Sequence, residues 1–212
     1  HRYSAKSFDW KKLPAKFKLK HSHYYNDLGI YFYNSRDYKR AAAMFKKAFH
    51  LDKNNDVFAA NIFNALDNLN QHANGLKFIQ SQPAEIKQKD YMRAWKARFL
   101  EKTGKTGKAI EIFEQLFAGN YREHDDFFKY VNLLENNNRK DDAVKAYETY
   151  LAAGETVKLR TGQAWLMYRM EKYKEGAAIL KTLLDKGPFN AEIAFDLISM
   201  YSKAGEYRTG LN

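Results

Sequence analysis

Residues 24–48 read YYNDLGIYFYNSRDYKRAAAMFKKA, and this stretch decides the fold. Tyr25, Leu28, Gly29 and Phe32 fall at i, i+3, i+4 and i+7, one stripe of a helix with 3.6 residues per turn. Ala41, Phe45 and Ala48 make a second stripe of the same kind. Between them Ser35-Arg36-Asp37 is polar and fit for a turn, so the stretch predicts two helices folded back on one another. Small residues on facing helices let the axes approach, and the aromatics fill the flanking grooves.

The pattern recurs. From Ala41 onward small residues stand at Gly75, Ala109, Ala143, Gly176 and Gly210, spaced 34, 34, 34, 33 and 34. Four residues after the first five marks comes a large apolar residue: Phe45, Ile79, Phe113, Tyr147 and Leu180. Nine residues before each mark comes another: Phe32, Leu66, Leu100, Leu134, Met167 and Tyr201. Three residues earlier stand Gly29, Phe63, Ala97, Val131, Ala164 and Ile198. A period of 34 predicts helical pairs stacked in a solenoid. Neither helix buries its apolar face alone, so each repeat needs its neighbour.

The run Tyr25…Leu28-Gly29…Phe32…Ala41…Phe45…Ala48 resembles the tetratricopeptide (TPR) repeat. In that register the repeats are 22–55, 56–89, 90–123, 124–157, 157–190 and a truncated 191–212, after a basic aromatic segment 1–21. The resemblance is closest in repeat one. Only Leu28-Gly29 keeps the Leu-Gly pair, while Phe63, Val131 and Ile198 replace its small residue, and the terminal Pro appears only as Pro188. The resemblance implies an all-α fold, a right-handed α-solenoid of about six antiparallel helix pairs.

Composition agrees. Hydrophobic residues at 45% and aromatics at 16% exclude a disordered chain. The absence of cysteine excludes disulfides and thiolate metal sites and leaves the compartment open, periplasm or cytoplasm. No stretch approaches 18 uninterrupted apolar residues, so no membrane span is expected. The net charge of +11 is uneven: Arg2, Lys6, Lys11, Lys12, Lys16, Lys18 and Lys20 against Asp9 give residues 1–20 a charge of +6. Such an arm suits an acidic partner, although Phe8, Trp10, Leu13, Phe17 and Leu19 read as packing residues and Pro14 as a break between two helical pieces.

Two irregularities are expected. Ser81-Gln82-Pro83 stops helix B of repeat two early, and Ser81 then caps a new helix with Pro83 in its first turn. That adds a turn before repeat three or lengthens its helix A. Repeat six reaches Asn212 just as helix B should begin. Ile193, Leu197, Ile198 and Tyr201 are then not all covered, so a continuation beyond Asn212 and a self-associating end are expected.

No string carries catalysis. Gly104-Lys105-Thr106 resembles the end of a phosphate loop, but that loop's first glycine falls on Phe99, which leaves a turn. His21-Ser22-His23 is too small for a metal site. Glu123-His124-Asp125-Asp126 reads as acidic capping of a helix start. The chain is therefore expected to be no enzyme and to hold no cofactor or metal.

In TPR proteins the first helices line a groove that holds an extended peptide or a partner's helix. Carried over by register, the groove positions are His23, Asn26, Ile30 and Tyr33 in repeat one, and Val57, Ala60, Asn64 and Asn68 in repeat two. Repeat three offers Tyr91, Ala94, Arg98 and Lys102, and repeat four Phe128, Asn132 and Asn136. Repeat five offers Thr161, Trp165, Tyr168 and Arg169, and repeat six Phe195 and Lys203. Asparagine donates and accepts, which suits a peptide backbone, and aromatics and Arg are common interface anchors. About a third of these positions are expected to be buried between helices. The carboxylate clamp for acidic chaperone tails is not expected, because its positions hold Asn26, Ile30, Asn61, Tyr91 and Trp95, of which only Asn61 fits.

Three functions fit: a protein-interaction scaffold, a docking or regulatory arm of a larger enzyme or secretion or polysaccharide-export machine, and a nucleic-acid-binding repeat. The last rests on residues 195–205, which resemble the start of a pentatricopeptide repeat. The scaffold is favoured, because basic charge is not spread along the groove as a nucleic-acid track requires.

Overall fold

The computed structural model describes residues 15–206, with side chains from Lys20 onward. Among them are twelve helices and no strand, as the repeat pattern predicts. Repeat one is α1 (Ala15–Asn34) and α2 (Tyr38–Leu51), and repeat two is α3 (Asp56–Asn68) and α4 (His72–Gln80). After the short α5 (Ala84–Lys87) come α6 (Asp90–Lys102) and α7 (Thr106–Ala118) of repeat three. Repeat four is α8 (His124–Asn136) and α9 (Lys140–Ala152), repeat five α10 (Val157–Arg169) and α11 (Tyr173–Lys186), and α12 (Ala191–Lys203) opens repeat six. Helix α1 runs unbroken across the 21/22 boundary.

The chain divides into two compact units, His1–Asp126 and Phe127–Asn212, with the boundary inside α8. A periodic sequence predicts one continuous body; the period records that repeats recur, and it carries no measure of how strongly each neighbour is held. In the first unit α1 packs on α2, α2 on α3, α4 on α6 and α6 on α7. Its core is aromatic, with Phe45, Phe49, Phe58, Phe63 and Phe99 all buried. In the second unit α10, α11 and α12 close over Ala164, Ala177, Leu180, Ile193 and Met200.

The columns are the core. Ala41, Gly75, Ala109, Ala143 and Gly176 are all buried, and so are Phe45, Ile79, Phe113, Tyr147 and Leu180 one helical turn later. A Cβ on Gly29 would stand 2.5 Å from the Phe45 ring, so the Leu-Gly pair exists to seat that ring. A Cβ on Gly176 would meet Met200 Sδ at 2.8 Å and Met167 Cβ at 3.4 Å, so this one position touches helix A of its own repeat and of the next. Gly210 lies outside the described residues.

The structure shows a further column that composition alone hides. Arg36, Asn70, Gly104, Asn138, Glu171 and Gly205 all have positive φ, between 54° and 77°, and they keep the same beat. Each ends a helix A. The next residue, such as Asp37, Gln71 or Lys105, donates its N–H to the carbonyl five residues back, at Phe32, Leu66 and Leu100. Arg139, Lys172 and Glu206 do the same to Leu134, Met167 and Tyr201. That closure satisfies the last carbonyls of helix A. The closing residue's own carbonyl then accepts the first bond of helix B, from Ala41, Gly75, Ala109, Ala143 or Gly176. The fixed count of nine between the large and small columns is this turn.

Three helix A starts, those of α3, α10 and α12, are capped by side chains, whereas Lys89 before α6 makes no such bond. Asn55 Oδ1 accepts from Val57 N at 3.1 Å, Thr156 Oγ1 from Leu159 N at 3.2 Å, and Asn190 Oδ1 from Glu192 N at 3.0 Å. The missing residue of repeat five falls between repeats: residues 119–123 link α7 to α8, whereas 153–156 link α9 to α10.

Helix α4 ends at Gln80, before Pro83, and α5 is the added turn. Ser81 does not cap α5. It closes α4 instead, its Oγ donating to Phe78 O at 2.7 Å, while Pro83 itself takes the capping position, where a missing N–H costs nothing. In α12 Ile193 and Met200 are buried and Leu197 and Tyr201 half-buried, whereas Ile198 and Phe195 are 46% and 71% exposed. Pro14 and the residues after Glu206 lie outside the described residues.

Candidate functional site

The A helices carry the sequence-predicted groove residues, and the repeat spacing returns as the spacing of their side-chain bonds. In the first unit Asn61 Nδ2 donates to Asn26 Oδ1 at 2.8 Å, and Asn68 Nδ2 donates to the Tyr33 hydroxyl at 2.9 Å. Both pairs are 35 residues apart and tie α3 to α1. Asn26 is thereby buried, its amide spent on Asn61. Asn64, between the two pairs, is exposed. Ile30 and Val57 are exposed beside this ladder, Ala60 is half-buried, and His23 sets its ring edge-on to Phe58 at 5.4 Å.

On α6 Ala94 is buried, Lys102 is exposed and Tyr91 is half-buried. The Tyr91 hydroxyl is buried without a hydrogen-bond partner among the described residues, and burial raises its pKa. Arg98 does not face outward. Its Nε donates to Asp126 at 2.5 Å, its guanidinium lies 4.5 Å from the Trp95 ring centroid, and the other Asp126 oxygen accepts from the Tyr121 hydroxyl at 2.6 Å. Asp126 is fully buried, so the acidic cluster at the start of α8 is only partly a helix cap; one of its carboxylates is a structural anchor. Burial works against the Arg98 charge, but the carboxylate outweighs it and its pKa rises. Burial and the same carboxylate push the Tyr121 phenol up.

The second unit carries an aromatic face. Phe128, Trp165 and Tyr168 are half-buried, and Trp165 meets Tyr168 edge-on at 5.0 Å. Trp165 Nε1 donates to Asp196 Oδ2 at 3.1 Å, which ties α10 to α12. Arg169 donates two bonds of 2.7 Å to Glu135, which ties α10 to α8. Lys158 Nζ lies 5.1 Å from the Phe128 ring centroid. Asn132, Asn136, Phe195 and Lys203 are exposed, and Thr161 is half-buried. Sequence reasoning missed the partners Glu135 and Asp196, although both stand within four residues of one period from the residue they bind.

Few of the candidates are fully buried. Asn26 and Ala94 are, where a third was expected. Of the basic arm, Lys20 is exposed, Arg2, Lys6, Lys11 and Lys12 lie outside the described residues, and Lys16 and Lys18 belong to α1. Among the described residues no cluster of His, Asp and Glu could hold a metal, and Gly104-Lys105-Thr106 is the turn between α6 and α7. No helix among them is long and apolar enough to cross a membrane.

No family profile and no curated protein matches the sequence. Solved structures do match. A tetratricopeptide repeat protein from Parabacteroides merdae aligns over 91% of this chain and 77% of its own, with a TM-score of 0.63 at 16% identity. The chain has the tetratricopeptide-repeat fold. PilF of Pseudomonas aeruginosa aligns over 92% of this chain and 89% of its own, with a TM-score of 0.65 at 14% identity. Yeast Tom70 gives a TM-score of 0.67 at 16% identity over 96% of this chain, which spans 45% of Tom70. The low identities mean that the TPR repeats share backbone geometry with these proteins while the face-lining residues are this chain's own.

Proposed function

We propose that the chain is a protein-interaction scaffold whose A-helix face holds an extended peptide segment or a helix of a protein partner. The observation that carries this reading is the ladder Asn26–Asn61 and Tyr33–Asn68 with Asn64 exposed between its rungs. Bonds from one A helix to the next fix the side chains in register. The Asn64 amide then offers a donor and an acceptor to a peptide backbone, with Ile30 and Val57 as apolar flanks. In the second unit Trp165 and Tyr168 supply rigid aromatic area whose orientation Asp196 sets.

The test is selection of peptides from a random displayed library against the chain, followed by titration of the winners against Asn64→Ala and Trp165→Ala. Binding should fall by about tenfold or more in at least one variant while helicity by circular dichroism stays unchanged. Winners that bind both variants as tightly as the wild type would overturn the assignment of this face. A parallel titration with single-stranded RNA at two salt concentrations is expected to show only weak, steeply salt-dependent binding.

A further inference from the structure

Repeat four carries an aromatic pair that repeat five lacks. In repeat four Phe127 of α8 and Tyr150 of α9 stack with ring centroids 4.0 Å apart and planes at 11°. Thirty-three residues later the equivalent positions hold Arg160 of α10 and Leu183 of α11, so both rings of the pair are gone. The space is not refilled. A cleft of about 440 Å³ opens there, within the size range of sites that bury small ligands or single anchoring side chains. Its walls include Val157, Ile179 and Leu183, and its polar groups include Glu155, Arg160 and Lys186. None of these residues belongs to the A-helix face described above.

The polar groups are arranged for one kind of guest. Arg160 is held edge-on: Nε pairs with Glu155 at 2.9 Å, Nη2 donates to Glu155 at 3.0 Å, and Nη1 donates to Gln163 at 3.1 Å. Three of its five N–H groups are spent and its plane is fixed, which leaves the flat face of the guanidinium for a ligand. A fixed cationic plane beside aliphatic walls stacks an aromatic ring and repels a cation. Glu155 is consumed by Arg160, whereas Lys186 is exposed and makes no ion pair among the described residues. Arg160 and Lys186 against Glu155 leave the cleft lining a net charge of +1.

We propose that this cleft is a second recognition site, one that takes an aromatic side chain from an acidic segment of a partner protein. The guest ring occupies the volume that the Phe127–Tyr150 stack fills one repeat earlier and lies on Arg160. A carboxylate next to it in sequence pairs with Lys186. A basic segment with the same aromatic residue would meet two cations and only one, already paired, anion.

The probe is a fluorescein-labelled peptide, Gly-Asp-Glu-Trp-Glu-Asp-Gly, titrated by fluorescence anisotropy. Two controls replace its Trp by Ala or its four acidic residues by Lys. Saturable binding is expected for the first, and affinity about tenfold or more weaker for each control. The double variant Arg160→Phe with Leu183→Tyr rebuilds the aromatic pair of repeat four. It should stay helical, melt no lower than the wild type and lose binding about tenfold or more. Should that variant fold poorly, Val157→Trp plugs the cleft from a position that is 55% exposed and should lose binding in the same way. Lys186→Glu should weaken the acidic peptide, and Asn64→Ala should leave it unchanged, which separates this site from the A-helix face. Absence of saturable binding, equal affinity for the Ala peptide, or unchanged affinity in the plugged variants would each overturn the proposal.

Discussion

Gly75 of α4 faces the ring of Phe99 on α6, and a methyl group there would stand 2.6 Å from Cδ2 and 2.7 Å from Cζ. Helix B of repeat two and helix A of repeat three thus meet glycine to ring, in the aromatic core that also holds Phe63 and Trp95.

Gly75→Ala sets two effects against each other. Alanine gains about 1 kcal/mol in helix propensity. Moving a fully buried phenylalanine costs about 1–3 kcal/mol. Phe99 also packs on Phe63 at 5.7 Å and Trp95 at 5.4 Å, so it has nowhere to yield, and the packing cost should win. A net loss of up to about 2 kcal/mol is expected in chemical denaturation. Phe99→Leu should cost less in the Gly75→Ala background than alone, since the two positions share one space. Equal costs in both backgrounds would refute the contact.

The left-handed turns supply a second test. Gly104 has φ of 77°, and a Cβ there would meet only open space, so Gly104→Ala loses only backbone energy, about 1–2 kcal/mol. Glu171 occupies the equivalent position with φ of 62° and already carries that strain. Glu171→Gly should therefore stabilise by about 0.5–1 kcal/mol, less than the full strain because glycine loses more chain entropy on folding. Denaturation midpoints that move in the same direction for both substitutions would be incompatible with this account.

These turns mark the limit of what the sequence discloses. Gly104, Gly205, Asn70 and Asn138 are recognisable turn residues, but Arg36 and Glu171 have no preference for positive φ. They adopt it because the helices on either side are fixed by packing. The buried columns were legible because size must repeat wherever helices meet at a repeated distance. The candidate face was legible only as register. Which of its residues are spent on neighbours was hidden, because Asn61 for Asn26, Glu135 for Arg169 and Asp126 for Arg98 depend on side-chain reach between helices. The cleft at Arg160 was hidden for a related reason: counting by the period finds Arg160 and Leu183 at the positions of Phe127 and Tyr150, but that those two rings stack on one another is a contact between helices.

Arg98 stood among the groove residues on register, yet its chemistry is structural. Removing it leaves the Asp126 carboxylate buried with only Tyr121 to bind it, so Arg98→Ala should destabilise by about 3–5 kcal/mol. Tyr121→Phe removes one bond and should cost about 1–3 kcal/mol. Arg98→Ala paired with Asp126→Leu should recover much of the loss, because no charge is then left buried. If Arg98→Ala instead leaves the melt unchanged, the ion pair does not hold the end of the first unit.

The single departure from the 34-residue beat yields the last prediction. Repeat five is one residue short, and the deletion lies in residues 153–156, all of them exposed. The nine-residue step from Met167 to Gly176 keeps its length despite that deletion, because Glu171 N donates to Tyr168 O, Lys172 N to Met167 O and Gly176 N to Lys172 O in one continuous closure. An extra residue between Gly154 and Glu155 only lengthens a surface connection, at a cost of about 0.5 kcal/mol. An extra residue between Glu171 and Lys172 separates the left-handed residue from its closing bond, and two buried-end carbonyls of α10 lose their donors. That insertion should cost about 2 kcal/mol or more. Comparing the two insertions by denaturation, with circular dichroism to follow helix content, distinguishes a turn whose residue count is fixed by its hydrogen bonds from a linker that happens to repeat. Equal tolerance of both would show that the constancy of the nine-residue step has no mechanical basis.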